Sequence, residues 1–119
     1  MEKMQSFKDP RIWNLGIEIV TDVYTVARDF PREEIYGLTS RIRRAGVSIP
    51  ANIAEGFRRY SPKEHKQYLH IAMGSLAELE TELIIAQKLG LISEEKMRGL
   101  SEKIDHLGRM ITVFLKKFK

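Results

Sequence analysis

Five arginines in the middle of the chain carry side chains well suited to binding phosphate groups: Arg41, Arg43 and Arg44 in one cluster, and Arg58 and Arg59 in a second. A guanidinium is planar, and its fork of hydrogen-bond donors matches the oxygens of a phosphate. Two aromatic residues that could stack on unpaired bases, Tyr60 and Tyr68, follow the second cluster. These arginines and the nearby lysines form a candidate nucleic-acid surface, which comprises Arg43, Arg44, Arg58, Arg59, Lys63, Lys116 and Lys117, with Lys119 at the chain end.

The alternative for these basic residues is an ordinary solvated helix face, on which arginines offset Glu33, Glu34 and Glu55. The net charge of the chain is only +4. A charge of this size on one domain permits a nucleic-acid partner but does not require one.

A second set of polar side chains repeats at helical spacing on two predicted neighbouring helices. We interpret it as a structural polar network: Arg41, Ser48, Asn52 and Glu55 on one helix, and Ser75, Glu78 and Glu82 on the next. Arg41 is expected to pair with a carboxylate of the second helix, and Asn52 to bond Ser75 or Glu78. Gly46 and Gly74 are expected to let the two backbones approach closely. The competing interpretation is a carboxylate site for a metal or for acid–base chemistry.

Several kinds of catalytic site are not supported by the sequence. A di-iron bundle needs Glu-x-x-His motifs, and the chain has none. It also lacks a Gly-x-Ser-x-Gly elbow and a phosphate-binding glycine loop. The three histidines, which are interpreted as surface or helix-packing residues, are His65, His70 and His106. We therefore expect no enzyme, no metal and no cofactor.

The elements that must position these side chains are four predicted helices. The first starts at Asp9 and Pro10 and ends at Phe30-Pro31. The second opens near Arg32-Glu33-Glu34 and contains Pro50, which removes one backbone hydrogen bond. Ser61-Pro62 opens the third, which stops at Gly90, and Ser93 caps the fourth. The short joints predict an all-α, antiparallel up-down-up-down four-helix bundle, formed as a single domain over residues 1–119.

Apolar residues at spacings of three and four predict the core face of each helix. In chain order the predicted core consists of Trp13, Ile17, Val20, Tyr24 and Ala27; Ile35, Leu38, Ile42, Ala45, Ile49 and then Asn52; Leu69, Ala72, Leu76, Leu79, Leu83 and Ala86; and Met97, Leu100, Ile104, Leu107, Ile111, Phe114 and Phe118.

Further apolar residues lie off these stripes: Ile12, Ile19, Val47, Ile53, Phe57, Ile71, Ile84 and Ile85. A bundle helix buries about three positions per heptad. The surplus therefore predicts a second buried face and self-association, the alternative being a wider core in a monomer.

Composition limits the setting in which the protein works. The absence of cysteine excludes disulfides and thiolate metal sites and fits a reducing compartment. No apolar run approaches the ~20 residues of a membrane span, and the first residues lack the apolar core of an export signal. We expect a cytoplasmic protein that is not bound to a membrane.

Three segments resemble one protein family: Phe30-Pro31 with Glu34 and Tyr36-Gly37-Leu38, the stretch from Arg41 to Gly56, and Ala72 to Thr81. The family is that of the bacterial ribosomal RNA intervening-sequence proteins, also filed as S23 ribosomal proteins. The resemblance covers about residues 7 to 117. It implies an antiparallel four-helix bundle, a homopentameric ring with a positively charged surface, and a relation to the accessory proteins of diversity-generating retroelements. Those proteins bind nucleic acid and a reverse transcriptase.

Two functions follow as hypotheses. The first is a non-catalytic oligomeric scaffold, homopentameric if it follows the family, that binds structured RNA or DNA through its basic surface. The second is a protein–protein adaptor whose positive charge is incidental and whose partner could be a reverse transcriptase. Strong salt dependence of nucleic-acid binding is expected in the first case.

Overall fold

The structure is a computed structural model that describes residues 9–118, so Lys119 lies outside the described residues. The described part contains four α-helices and no strand, which confirms the predicted all-α class. The helices are α1 (Pro10–Ala27), α2 (Leu38–Phe57), α3 (Pro62–Lys88) and α4 (Glu94–Leu115), with a 3-10 turn at Arg32–Glu34 before α2.

Capping side chains fix the starts of three helices. Asp9 accepts a hydrogen bond from the Arg11 backbone N–H at 3.0 Å, Ser61 accepts one from Glu64 at 3.3 Å, and Ser93 accepts one from Lys96 at 3.2 Å. Each bond satisfies one backbone donor that a helix start leaves without an intrahelical partner. The predicted start points are thereby confirmed for α1, α3 and α4.

The end of α3 is a Schellman motif built on Gly90. This glycine has a φ of 76°, which side chains other than glycine rarely adopt. Its N–H donates to the Gln87 carbonyl at 3.0 Å, and the Leu91 N–H donates to the Ala86 carbonyl at 2.9 Å. These two bonds close the helix at the predicted residue.

Consecutive helices run antiparallel, as contacts along their lengths show. Between α2 and α3, Ser48 meets Ser75 near the middle and Gly56 meets His65 at one end. Between α1 and α2, Gly16 lies against Pro50 and Val23 lies against Gly46. The first and last helices, α1 and α4, are joined by Lys103, which donates to Asp22 at 2.5 Å and pairs with Glu18 at 2.9 Å. The bundle is elongated, measuring 47 × 24 × 18 Å. Its long axis matches the ~40 Å length of the 27-residue α3 at 1.5 Å per residue.

The core faces of α3 and α4 are those that the spacing predicts. Every residue of the two predicted stripes is buried, from Leu69 to Ala86 and from Met97 to Phe118. In both helices this stripe is continuous at spacings of three and four, whereas the apolar residues off it in α3, Ile71, Ile84 and Ile85, do not form a second continuous stripe.

Of the core face predicted for α1, Ala27 is buried as predicted, but the rest of the face is shifted by one residue. Trp13, Ile17 and Tyr24 are 39%, 37% and 40% exposed. The buried residues of α1 are Ile12, Gly16, Ile19, Val23, Val26 and Ala27. Both stripes have helical spacing, so periodicity does not choose between them. Packing chooses, because a Cβ on Gly16 would lie 3.3 Å from Pro50 Cβ, so a larger residue at this position would push α1 and α2 apart.

The predicted start of α2 is also too early. Arg32–Glu34 forms a 3-10 turn rather than part of the α-helix, and Ile35 in the following turn is exposed. Leu38 opens the helix, and its N–H donates to the Glu34 carboxylate at 3.1 Å. Further along, Ile53 rather than Asn52 is fully buried. The helix continues through Pro50 to Phe57.

The apolar residues predicted to lie off the core fall into two groups. Ile12, Ile19 and Ile53 are core residues, which corrects the prediction. Phe57 is half-buried against the core. Val47, Ile71, Ile84 and Ile85 remain exposed.

Two glycines do not have the predicted role between α2 and α3. A Cβ added at Gly46 would lie 3.7 Å from Val23 Cγ1 of α1, and one added at Gly74 would meet no atom beyond the backbone of its own helix within 4 Å. The close approach between α2 and α3 is instead made at Gly56, where an added Cβ would lie 3.0 Å from His65 Cδ2 and 3.2 Å from the His65 carbonyl oxygen.

Candidate functional site

One end of the bundle gathers most of the predicted phosphate contacts. Here α1 starts, α2 ends, α3 starts and α4 ends, so segments 9–11, 55–66 and 116–118 come together. We call these segments the basic end. The basic end contains seven basic residues and three acidic ones. The basic residues are Arg11, Arg58, Arg59, Lys63, Lys66, Lys116 and Lys117, and the acidic ones are Asp9, Glu55 and Glu64. The opposite end, segments 28–41 and 88–98, carries six basic residues against five acidic ones and is nearly neutral.

A cluster of buried rings holds the basic end together. The fully buried His65 ring of α3 lies 5.6 Å from the ring of Phe57, 5.8 Å from that of Phe114 and 4.9 Å from that of Phe118, measured between centroids. The cluster thereby joins the end of α2 and the C-terminal part of the described chain to the start of α3. The burial of His65 agrees with the helix-packing role that was one of the two predicted for the histidines. His70 and His106 are exposed.

Three of the cations at this end have neighbours within the protein. Arg59 Nη2 donates to Glu55 at 2.5 Å and to the Tyr68 hydroxyl at 2.9 Å, and its guanidinium lies 4.6 Å from the Tyr68 ring centroid. Arg11 pairs with Asp9 at 2.9 Å. The Lys117 ammonium lies 5.3 Å from the Phe114 ring. Because Tyr68 is engaged by Arg59, its ring is less available to a base than the sequence suggests.

Four cations at the basic end point to solvent without a partner in the protein. Arg58, Lys63, Lys66 and Lys116 are exposed, and within residues 9–118 none makes a side-chain hydrogen bond or an ion pair. A phosphate that binds them has no internal partner to displace. Of the seven predicted contacts, Arg58, Lys63 and Lys116 are thus the best placed.

Arg43 and Arg44 lie elsewhere on the molecule. They precede Arg58 by about four helical turns on α2, which is roughly 22 Å along the axis. The Arg43 guanidinium is half-buried and lies 4.9 Å from the Tyr24 ring of α1. Arg44 is exposed beside Tyr36 and Ser40. The predicted contacts therefore occupy two separate places rather than one continuous patch.

The polar network between α2 and α3 is smaller than the prediction. The Ser48 and Ser75 hydroxyls are 2.7 Å apart. Asn52 Nδ2 donates to the Ser48 carbonyl at 2.8 Å and to the Ser48 hydroxyl at 2.9 Å, not directly to Ser75 or Glu78 as predicted. Glu55 pairs with Arg59, four residues further along the chain, and takes no part in this network. Asn52 is thus satisfied locally, and one serine pair sets the register between the helices.

Glu82 is a buried carboxylate beside this network. Only 7% of it is exposed, and its Oε1 lacks a hydrogen-bond partner among the described residues. Burial raises the pKa of the Glu82 carboxyl, the neighbouring Glu78 raises it further, and the charge of Arg41 opposes this shift. Arg41 forms no ion pair with a carboxylate in the described chain, contrary to the prediction.

A Glu82→Gln variant is expected to be more stable than the parent at neutral pH, by about 1 kcal/mol, because it removes a poorly compensated buried charge. A carboxyl whose pKa is raised by folding destabilises the protein when it is ionised and has no such effect when it is protonated in both the folded and the unfolded state. The advantage of the variant should therefore shrink as the pH falls through the raised pKa, and vanish below the unfolded value of about 4.3. Urea unfolding at pH 7.5 and in acid measures this, with the exposed Glu102→Gln as the control. A less stable variant at pH 7.5 would contradict it.

A shallow pocket of about 360 Å³ lies between the start of α1 and the end of α2. It is lined by Pro10, Trp13, Ala54, Phe57 and Arg58. Because periodicity predicts Trp13 as a core residue, the sequence does not reveal this pocket. The competing stripe Ile12-Gly16-Ile19-Val23 was the signal that could have revealed an outward-facing Trp13.

The described residues lack two other kinds of site. No group of three or more His, Cys, Asp and Glu side chains in residues 9–118 is arranged to hold a metal ion. Within the same range, none of the helices has both the length and the apolar character needed to cross a membrane.

A solved structure has the same fold. It is the crystal structure of a protein of unknown function from the S23 ribosomal protein family of Bacteroides thetaiotaomicron. The match has a TM-score of 0.80 at 19% sequence identity and covers 88% of this chain and 98% of that one. At this identity the likeness concerns the fold alone. No curated protein matches the chain.

The sequence itself matches one protein family along most of its length. The family is described as 23S rRNA-intervening sequence protein, and the match extends over residues 8–113, from just before the Asp9 cap of α1 into the last turns of α4. The chain therefore belongs to the family of 23S rRNA-intervening sequence proteins.

Proposed function

We propose that this protein is a non-catalytic, self-associating scaffold that binds structured RNA or DNA through phosphate contacts at its basic end. The observation that carries the proposal is the group of exposed cations at this end that have no partner within the described protein: Arg58, Lys63, Lys66 and Lys116. Cations already paired with carboxylates would have to break those pairs before they could bind phosphate. The opposite end also has exposed cations without a partner among the described residues, such as Arg28, Lys88 and Arg98, but six basic residues there face five acidic ones. Only the basic end combines available donors with a marked excess of positive charge, seven cations against three carboxylates.

Self-association would multiply this effect. Exposed apolar side chains on α2 and α3, namely Val47, Ile71, Ile84 and Ile85, supply surface for contact between subunits. In a homopentamer, which the family resemblance implies, five copies would carry roughly +20, and the ring would concentrate five basic ends about one axis. An assembly of this kind would bind a folded RNA at several points at once.

An adaptor that recruits another protein is the second candidate function. The same exposed isoleucines favour it, because an apolar surface suits a protein partner as well as a second copy. In that case the positive charge would be incidental, and nucleic-acid binding would be lost near physiological salt.

The test is a comparison of two triple variants that remove the same charge from opposite ends. Arg58→Gln/Lys63→Gln/Lys116→Gln changes the basic end, and Arg28→Gln/Lys88→Gln/Arg98→Gln, all exposed, changes the opposite end. The first should bind a structured ribosomal RNA fragment about 10-fold more weakly at ~0.15 M salt, and its log–log salt slope should fall by roughly 2 to 3, since three phosphate contacts are lost. The second should bind like the parent.

Two results would contradict the proposal. Equal losses in both triple variants would mean that binding reflects total charge and not the basic end. Parent binding that disappears at ~0.15 M salt would make the charge incidental and favour the adaptor. Circular dichroism of each variant checks that the helices are retained.

A further inference from the structure

The pocket between α1 and α2 combines an aromatic wall with an available cation. Trp13, the chain's single tryptophan, is 39% exposed, and Phe57 is half-buried beside it. Arg58 completes the pocket, and its guanidinium makes no hydrogen bond or ion pair within residues 9–118. A cavity of about 360 Å³ lies at the lower end of the ~300–1,000 Å³ range of small-ligand sites.

The packing of α1 against α2 explains why this space is open. Gly16 and Pro50 bring α1 and α2 into close contact, which turns the face with Ile12 toward the core and leaves Trp13 at the edge of the seam. Across the seam stands Ala54, whose side chain is too small to cover an indole. Arg58 follows Ala54 by four residues and so lies one turn further along the same face of α2, toward the basic end.

We propose that this pocket binds one unpaired nucleobase, which stacks against Trp13 and Phe57 while Arg58 contacts a phosphate of the same nucleotide. The inference rests on the proposed function and deepens it by naming the part of the nucleic acid that is recognised. Stacking of a base on an aromatic side chain is worth ~1–3 kcal/mol and suits any base, because every base has a π-face.

The pocket predicts that the protein prefers unpaired to fully paired nucleic acid, a preference that phosphate contacts alone do not predict. In a fully paired duplex the bases are stacked on one another, so none can enter the pocket. In loops, bulges and single strands the bases are unstacked and accessible. The protein should therefore bind a structured RNA at its unpaired segments, with the basic end on the neighbouring backbone.

Because Trp13 is the only tryptophan, its fluorescence reports on this pocket alone. The probes are a single-stranded oligonucleotide and a blunt duplex of equal total charge, each as RNA and as DNA. The single strands should quench Trp13 saturably, and the duplexes should bind without quenching. Quenching by either the RNA or the DNA strand supports the assignment. The strand that quenches at the lower concentration identifies which nucleic acid the pocket prefers.

Variants at Trp13 separate stacking from charge. Trp13→Leu should weaken binding of the single strand by about 5- to 150-fold, the loss expected for one stacked base, and should leave duplex binding unchanged. Trp13→Phe keeps an aromatic ring and should recover part of the affinity, which controls for damage to the fold.

Three results would overturn the inference. The first is single-strand binding that leaves the Trp13 fluorescence unchanged and is as tight in Trp13→Leu as in the parent. In that case the proposed function would still stand if the Arg58, Lys63 and Lys116 triple variant lost affinity. Another is a Trp13 emission that shifts with protein concentration in the absence of nucleic acid, which would show a second copy covering the pocket. The third is equal loss of single-strand and duplex binding in Trp13→Phe.

Discussion

A Gly56→Val variant is expected to lose about 1–3 kcal/mol of folding stability, which is the usual cost of overpacking at a rigid contact. A Cβ at this position would lie 3.0 Å from His65 Cδ2, 3.2 Å from the His65 carbonyl oxygen and 3.2 Å from Tyr68 Cβ. The carbonyl belongs to the backbone of α3, and the His65 ring is held among Phe57, Phe114 and Phe118. Relief would therefore require α2 and α3 to separate, which would also open the ring cluster.

The matched control is Gly74→Ala, in the middle of α3. No atom lies within 4 Å of the Cβ that it adds, and alanine is favoured over glycine in a helix by up to about 1 kcal/mol. The control should therefore be slightly more stable than the parent. Urea unfolding followed by circular dichroism, at one fixed protein concentration, measures both variants. Equal stability of Gly56→Val and the parent would disprove the tight contact between α2 and α3.

An Ile19→Ala variant is expected to cost about 2–5 kcal/mol, whereas Ile17→Ala should cost less than about 1 kcal/mol. Ile19 is fully buried and Ile17 is 37% exposed, although they stand two residues apart on the same helix. The two substitutions remove the same atoms, so their difference reports only on which face of α1 packs into the core.

Unfolding of both isoleucine variants should be followed at low protein concentration, since Ile17 is also available for contact between subunits. A change in oligomeric state caused by Ile17→Ala, with little change in unfolding of the dilute protein, would agree with an outward-facing residue. A larger loss from Ile17→Ala than from Ile19→Ala would restore the core face predicted from periodicity.

Local signals in the sequence predicted much of the fold correctly. Asp9, Ser61 and Ser93 cap the helices that they were expected to cap, and Gly90 ends α3. These features depend on residues within one turn of each other, so no knowledge of the rest of the chain is needed. The core faces of α3 and α4 were predictable for a related reason, since each helix has one continuous apolar stripe at helical spacing.

The candidate site was only partly predictable. The sequence shows that arginines and lysines lie near the helix ends. It does not show which of them have partners within the protein. Arg58 and Arg59 are neighbours in the chain, yet Arg59 pairs with Glu55 and Tyr68, while Arg58 faces the pocket beside Trp13. Glu55 was recognisable at helical spacing from Arg59, whereas Tyr68 comes from another helix.

By itself, then, the sequence determined the number of helices, most of their limits and the basic character of the chain, because these depend on residue type and on neighbours within a few positions. The tertiary structure alone decided which face of α1 is buried, which cations have partners, and that Trp13 lies beside Arg58. The physical reason is that α1 carries two apolar stripes of similar quality. The choice between them depends on close contacts, such as that of Gly16 with Pro50, between residues far apart in the chain.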